Sequence, residues 1–179
     1  MRILLIVENE KMCDATQVQV DETYFRKPRR YFQRFNFHLE EITVFGCIDA
    51  SGRVYAAVVS KPCKACIYPV IFKCCSATAT IFTDKSTIYR MLPKLGYQHH
   101  TVSHVDHEFS RHENELCVTT NRIEGFWGWM KHRLSKFKGV KRDSLELHIA
   151  ESVWRFNHRQ DNIYKLLLKE FRVRPLNVN

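Results

Sequence analysis

TTNRIEGFWGWMKHRLSKFK, residues Thr119 to Lys138, reads as one helix with two unlike sides. Phe126, Met130, Leu134 and Phe137 recur at helical spacing and need a core to cover them. Asn121 and Glu124 are three apart, so they sit on neighbouring turns of another side. Lys131 follows Glu124 by seven residues, two turns on, and returns close to it. A carboxylate placed this way needs partners before it can do chemistry. Two lie upstream, Asp21 in QVQVDETYF and Asp84 in ATIFTDKS, each at the end of a run that reads as a strand. Hard cations such as Mg²⁺ take carboxylate oxygens and keep waters for substrate. Three acids from distant parts of the chain therefore suggest a metal-dependent phosphoryl-transfer site.

The bulk properties fit that suggestion. A chain of 179 residues supports one domain with a real core, and 45% hydrophobic content argues against wholesale disorder. The net charge of +9 favours a polyanionic partner, of which nucleic acid is the commonest. The apolar run ILLIV is too short for a leader, and no stretch approaches the roughly 18 apolar residues of a membrane span. Seven cysteines, an odd number, fit free thiols in a reducing compartment, so the expected location is cytoplasmic, nucleoid-associated in a bacterium or nuclear in a eukaryote. Cys63, Cys66, Cys74 and Cys75 lack the two separated knuckles of a zinc site and are expected to be buried thiols.

Along the chain, residues 1–16 form a short N-terminal remnant before a first strand at Gln17 to Tyr24. Glu22 points away from Asp21 by strand alternation and is expected in a salt bridge. Phe25 to Glu41 is a basic, aromatic, glycine-free insertion, either a solvated hairpin or an arm gripping a nucleic-acid backbone. ITVFGCID and RVYAAVVS flank the turn residues Ala50, Ser51 and Gly52, with Asp49 opening the turn. Then follow a helix at Lys64 to Cys75, a strand at Thr78 to Thr83, a helix at Ser86 to Leu95 stopped by Gly96, and a strand at Tyr97 to Ser103. Val105 to Cys117 reads as a polar loop, and His104 just before it and His107 within it are expected to be ordinary surface histidines. Helices at Ser144 to His158 and Asn162 to Arg172 close the chain before a tail at 173–179. This order predicts an α/β fold, a mixed five-stranded sheet with flanking and C-terminal helices.

VQVDETYF, IFTDKSTIY, the His104/Glu108/Phe109 pattern in SHVDHEFS, and NRIEGFWGWMKHRLSKFKGV together resemble the DDE transposases of bacterial insertion sequences, in the group related to Merlin transposons. WRFNHR, Trp154 to Arg159, resembles that family's C-terminal helix, and the likeness runs from about Gln17 to Arg172. It implies an RNase H-like catalytic domain over 17–172 that cuts and joins DNA with two Mg²⁺ ions, for which Mn²⁺ may substitute. Carried over, Asp21, Asp84 and Glu124 would be the metal-binding acids and Lys131 the accompanying lysine on DNA phosphate. Asn121 is the alternative third residue or lies behind Glu124. Arg26, Lys27, Arg29, Arg30, Lys131 and Arg133 are the candidate DNA contacts. Trp127 and Trp129 either stack on bases or pack, and Arg155 and Arg159 either are solvated or face phosphate. The resemblance also implies DNA ends and target DNA as partners and self-association on DNA.

The chain departs from the pattern in its glycine-free RKPRRYFQRF and in Lys85, where relatives often carry glycine. Only twenty residues precede Asp21, fewer than a recognition domain needs. Two other functions therefore stand beside transposition: a shortened, non-catalytic DNA-binding remnant, or a nuclease of the same fold.

Overall fold

The computed structural model describes residues 16–26, 41–102, 110–113 and 116–173. Lys27, Arg29, Arg30, His104, Glu108 and Phe109 lie outside the described residues, as does the side chain of Arg26. Five strands form one mixed sheet: β1 (Gln17–Arg26), β2 (Glu41–Asp49), β3 (Val54–Val59), β4 (Thr80–Asp84) and β5 (Gln98–Val102). Their spatial order is β3-β2-β1-β4-β5. β2 runs antiparallel to both β1 and β3, whereas β4 runs parallel to β1 and to β5.

Both faces of the sheet are covered, which explains why β2 reads as a nearly unbroken apolar run. One face carries α1 (Lys64–Cys74): Val18, Val20, Phe45 and Cys47 pack with Ile67, Ile71 and Cys74. The other carries α2 (Asn121–Ser135) and α3 (Arg142–Asn157), where Ile42, Val44, Ile48, Val54 and Ala56 meet Ile123, Phe126, Trp127, Met130 and Leu134. The anticipated apolar side of α2 is thus buried as far as Leu134. Phe137 lies beyond the helix end and is 44% exposed. α4 (Ile163–Val173) follows α3.

Asp49 is the turn residue its position suggested. Its carboxylate accepts hydrogen bonds from the Arg53 amide and the Ser51 hydroxyl, and Gly52 takes a left-handed φ of 82°. Asn157, at the end of α3, both donates to and accepts from the backbone of Val54, fastening that helix to the start of β3.

Two expected elements differ. Ser86 to Leu95 holds two short 3-10 turns, Thr87–Met91 and Pro93–Leu95, in place of an α-helix. Pro93 has no N–H to give, and its ring collides with the preceding turn of an α-helix, so the segment breaks there. The expected polar loop over Val105 to Cys117 includes a strand pair, β6 (Ser110–Glu113) and β7 (Leu116–Thr119), in a separate two-stranded sheet. Backbone pairing decided that segment, and its polar composition concealed it. Val118 of β7 packs with Phe82 and Val102, so the pair lies against β4 and β5 and leads straight into α2.

Candidate active site

Asp21 stands in the middle of β1, on the face that α2 covers. The parallel register pairs Gln17 with Thr80, Val18 with Ile81 and Gln19 with Phe82. Carried two residues further, it sets Asp84 beside Asp21 at the end of the neighbouring strand. In-register residues of adjacent strands point to the same face, so both carboxylates emerge under α2. Asp84 is held by its own turn, its Oδ1 accepting from the Ser86 amide at 2.9 Å.

Three long-range contacts clamp α2 over this edge. The buried Gln19 side chain accepts from the Arg122 and Ile123 amides at 3.0 and 3.2 Å, capping a helix whose N-cap residue Thr120 supplies no side-chain cap. Trp127 Nε1 donates to Asp21 Oδ2 at 3.1 Å. Gly46, paired with Asp21 across β1 and β2, leaves room for the indole: a Cβ there would lie 2.7 Å from Trp127 Cζ2, and nearer still to Cη2. Arg122 adds a bond to the Ala50 carbonyl at 2.7 Å. Glu124 thereby stands in the first turn of α2, near the Asp21/Asp84 edge, with its Oε1 accepting from the Thr120 hydroxyl at 2.7 Å.

Replacing Gln19 by alanine strands two helix N–H groups. It is expected to cost about 1–2 kcal/mol of stability, read as a lower midpoint in denaturant unfolding. An unchanged midpoint would mean that the cap holds nothing.

The electrostatics report a crowded acidic site. The Asp21 carboxyl is pushed up to about 6, chiefly by burial and further by the charges of Asp84 and Glu124, against lowering hydrogen bonds from the backbone and Trp127. Glu22, on the opposite face, is raised to about 7 by burial first and then by Asp21 and Asp84. Among the described residues Glu22 does not make the expected salt bridge. Its Oε1 has no hydrogen-bond partner, and the facing Tyr89 hydroxyl favours its charge without making a hydrogen bond of proper geometry.

Asn121 and Lys131 are exposed on α2. Arg133, a candidate DNA contact, instead reaches inward: it meets buried Glu151 at 2.6 Å and the Ser152 hydroxyl at 2.9 Å. Arg155 shares Glu151 at 2.9 Å, and Arg159 lies over the Phe156 ring while donating to the Gly52 and Phe156 carbonyls. Arg133 is thus drawn inward, Arg155 is part-buried against the same carboxylate, and Arg159 stays exposed. Trp127 is buried, and Trp129 is half-exposed against Phe126 and Phe156.

The donor chemistry at the acidic edge suits a hard cation: carboxylate oxygens, with the ionisation of Asp21 disfavoured until positive charge arrives. Among the described residues, however, no three His, Cys, Asp or Glu side chains converge as a ready metal cage. Glu124 is turned to Thr120. The sequence did not reveal Gln19, Gly46 or Thr120 as parts of the site, because each works through a partner distant in the chain or through a backbone-level fit.

Comparison with known proteins places the chain in a family. The ISXO2-like transposase domain matches residues 15–157, which include all three acids and the clamp. An uncharacterized transposase-like protein of Haemophilus influenzae is 29% identical over 118 residues, covering 66% of this chain and 92% of the relative. The chain belongs to the ISXO2-like transposase family.

Proposed function

We propose that the chain is a DDE transposase catalytic domain of RNase H-like fold, cutting DNA at the ends of an insertion sequence and joining them to target DNA. The observation that carries this is the meeting of Asp21 and Asp84 on adjacent parallel strands beneath a helix bearing Glu124. Acids on two neighbouring strands of one mixed sheet and on one late helix support the RNase H-like reading. DNA is the partner class of a transposase family, and the net charge of +9 suits it.

In this reading Asp21, Asp84 and Glu124 hold two Mg²⁺ ions, or Mn²⁺ in their place, with Glu124 exchanging the Thr120 hydroxyl for that role. Bound there, the ions would supply activation of the attacking oxygen and stabilisation of the leaving one. Trp127 fixes the Asp21 carboxylate through Oδ2. Exposed Lys131, with Lys136, Lys138 and Lys141 beyond the helix end, lies along the DNA phosphates. Arg26, Lys27, Arg29 and Arg30 remain proposed backbone contacts. Arg133 leaves that set because its guanidinium is committed to Glu151.

Strand cleavage and joining on DNA carrying the terminal inverted repeats tests the reading, with Glu124→Gln and Asn121→Ala beside the wild type. Glu124→Gln is expected to lose about a thousandfold, the size of a several-kcal/mol electrostatic contribution, while Asn121→Ala stays active. The reverse pattern would make Asn121 the third ligand. Cutting without joining would identify a nuclease, and binding without cutting in Mg²⁺ or Mn²⁺ a remnant.

A further inference from the structure

A second reactive centre lies apart from the acids, at the start of α1. Cys63 and Cys66 form a Cys-x-x-Cys pair whose first member is the residue before the helix and whose second lies in its first turn. The Cys66 amide donates to the Cys63 carbonyl at 3.0 Å, folding the two side chains together. Their sulfurs are 3.4 Å apart, with the Cys63 thiol donating to Cys66 Sγ. The Ser60 hydroxyl lies 3.1 Å from the same sulfur. Both thiols are free and only partly buried.

The other described cysteines contrast with this pair. Cys47, Cys74 and Cys75 are buried in the core. The Cys47 thiol is pushed well up, first by its hydrogen bond to Cys74 and then by burial, and Cys75 is pushed up to about 12 by burial. Cys66 is displaced the other way, toward the thiolate, by Ser60 and Cys63 first and then by the Lys61 amide and charge. A thiolate stabilised by local donors, accessible, and in contact with a second thiol is the arrangement of a resolving pair.

We propose that Cys63 and Cys66 form a redox-active dithiol that reacts with low-molecular-weight disulfides and closes to an intramolecular disulfide. The Cys66 thiolate attacks one sulfur of the small disulfide, forming a mixed disulfide and expelling one thiolate. The Cys63 thiol then loses its proton and attacks Cys66 Sγ, expelling the second thiolate and forming the Cys63–Cys66 bond. Overall the protein dithiol is oxidised by two electrons and one small disulfide becomes two thiols. The sulfurs need only close from 3.4 Å to the roughly 2.05 Å of a disulfide. Two thiols are too few for a closed four-ligand zinc site, and no third His, Cys, Asp or Glu converges on them among the described residues. The proposal is independent of the DNA chemistry.

Oxidised glutathione on the full chain at pH 7, followed by intact mass and peptide mapping, tests it. The wild type is expected to lose two hydrogens with Cys63 and Cys66 joined, reversibly on adding a reductant. Cys63→Ser is expected to stop at a mixed disulfide on Cys66. Cys66→Ser is expected to react at least about tenfold more slowly, as the loss of the activated thiolate requires. Modification spread over other cysteines, or a Cys66→Ser chain that reacts as fast as the wild type, would overturn the proposal. Circular dichroism of each variant before oxidation separates lost reactivity from lost fold.

Discussion

Replacing Asp21 by asparagine is expected to reduce metal-dependent strand cleavage by about a thousandfold while making the protein more stable at pH 7. The two effects share one cause. Burial and the neighbouring charges of Asp84 and Glu124 raise the Asp21 carboxyl from 3.8 to about 6, so its ionised form works against the fold. Below pH 4 folded and unfolded chains both hold the proton and the penalty is absent. Between about 4 and 6 the folded chain still holds a proton that the unfolded chain has lost, so stability falls as pH rises. Above 6 the full penalty is present, on the order of 3 kcal/mol for a shift of this size. Asparagine removes the charge and keeps an oxygen for the Trp127 N–H. Glu22, raised from 4.5 to about 7, extends the same fall to slightly higher pH, and its repulsion with Asp21 is shared, so the two penalties do not add.

Thermal unfolding from pH 4 to 8 checks this directly. The wild-type midpoint is expected to decline across the window and the Asp21→Asn midpoint to decline less. Added Mg²⁺ is expected to raise the wild-type midpoint above pH 6, by mass action on the folded state, and to leave the variant nearly unmoved. A variant that still cuts DNA, or that is less stable than the wild type at pH 7, would remove Asp21 from the role assigned to it.

Much of this was legible in the sequence where the signal is local. Strand alternation delivered β1 and β4 with their acids, Asp49 marked its turn, and the apolar spacing of Phe126, Met130 and Leu134 marked the buried side of α2. What escaped was whatever depends on partners far apart in the chain. Gln19 looks like the polar half of an alternating strand, and its use as the cap of α2 needs a helix more than a hundred residues away. Arg133 looks like one more cation on a basic helix until α3 brings Glu151 beneath it. Glu22 looked ready for a salt bridge because a charge on a strand usually faces water. Here both faces of the sheet are covered, and among the described residues its carboxyl faces the Tyr89 hydroxyl and no cation. The 3-10 turns and the β6/β7 pair escaped for a different reason: in short segments one proline or one backbone pairing outweighs propensity.

Gly46→Ala is expected to be the most disruptive single-methyl change in the sheet. The added carbon would press into the Trp127 ring and lie 3.1 Å from the Tyr55 carbonyl, with backbone on one side and a packed indole on the other. The indole has to move, and it cannot do so and keep its bond to Asp21 Oδ2. Overpacking of this kind costs about 1–3 kcal/mol. A displaced α2 would also misplace Glu124, so cleavage is expected to fall along with stability. Gly128 supplies the contrast, since a Cβ there meets nothing within 4 Å on the exposed side of α2. Gly128→Ala is expected to stabilise by about 0.5–1 kcal/mol through helix propensity alone. The clash itself is isolated by a double-mutant cycle with Trp127→Phe, whose smaller ring vacates the space. Gly46→Ala should cost at least about 1 kcal/mol less in that background than in the wild type, as expected of residues in contact. Equal costs in the two backgrounds would show that the glycine serves β2 alone, and that the indole over Asp21 does not depend on it.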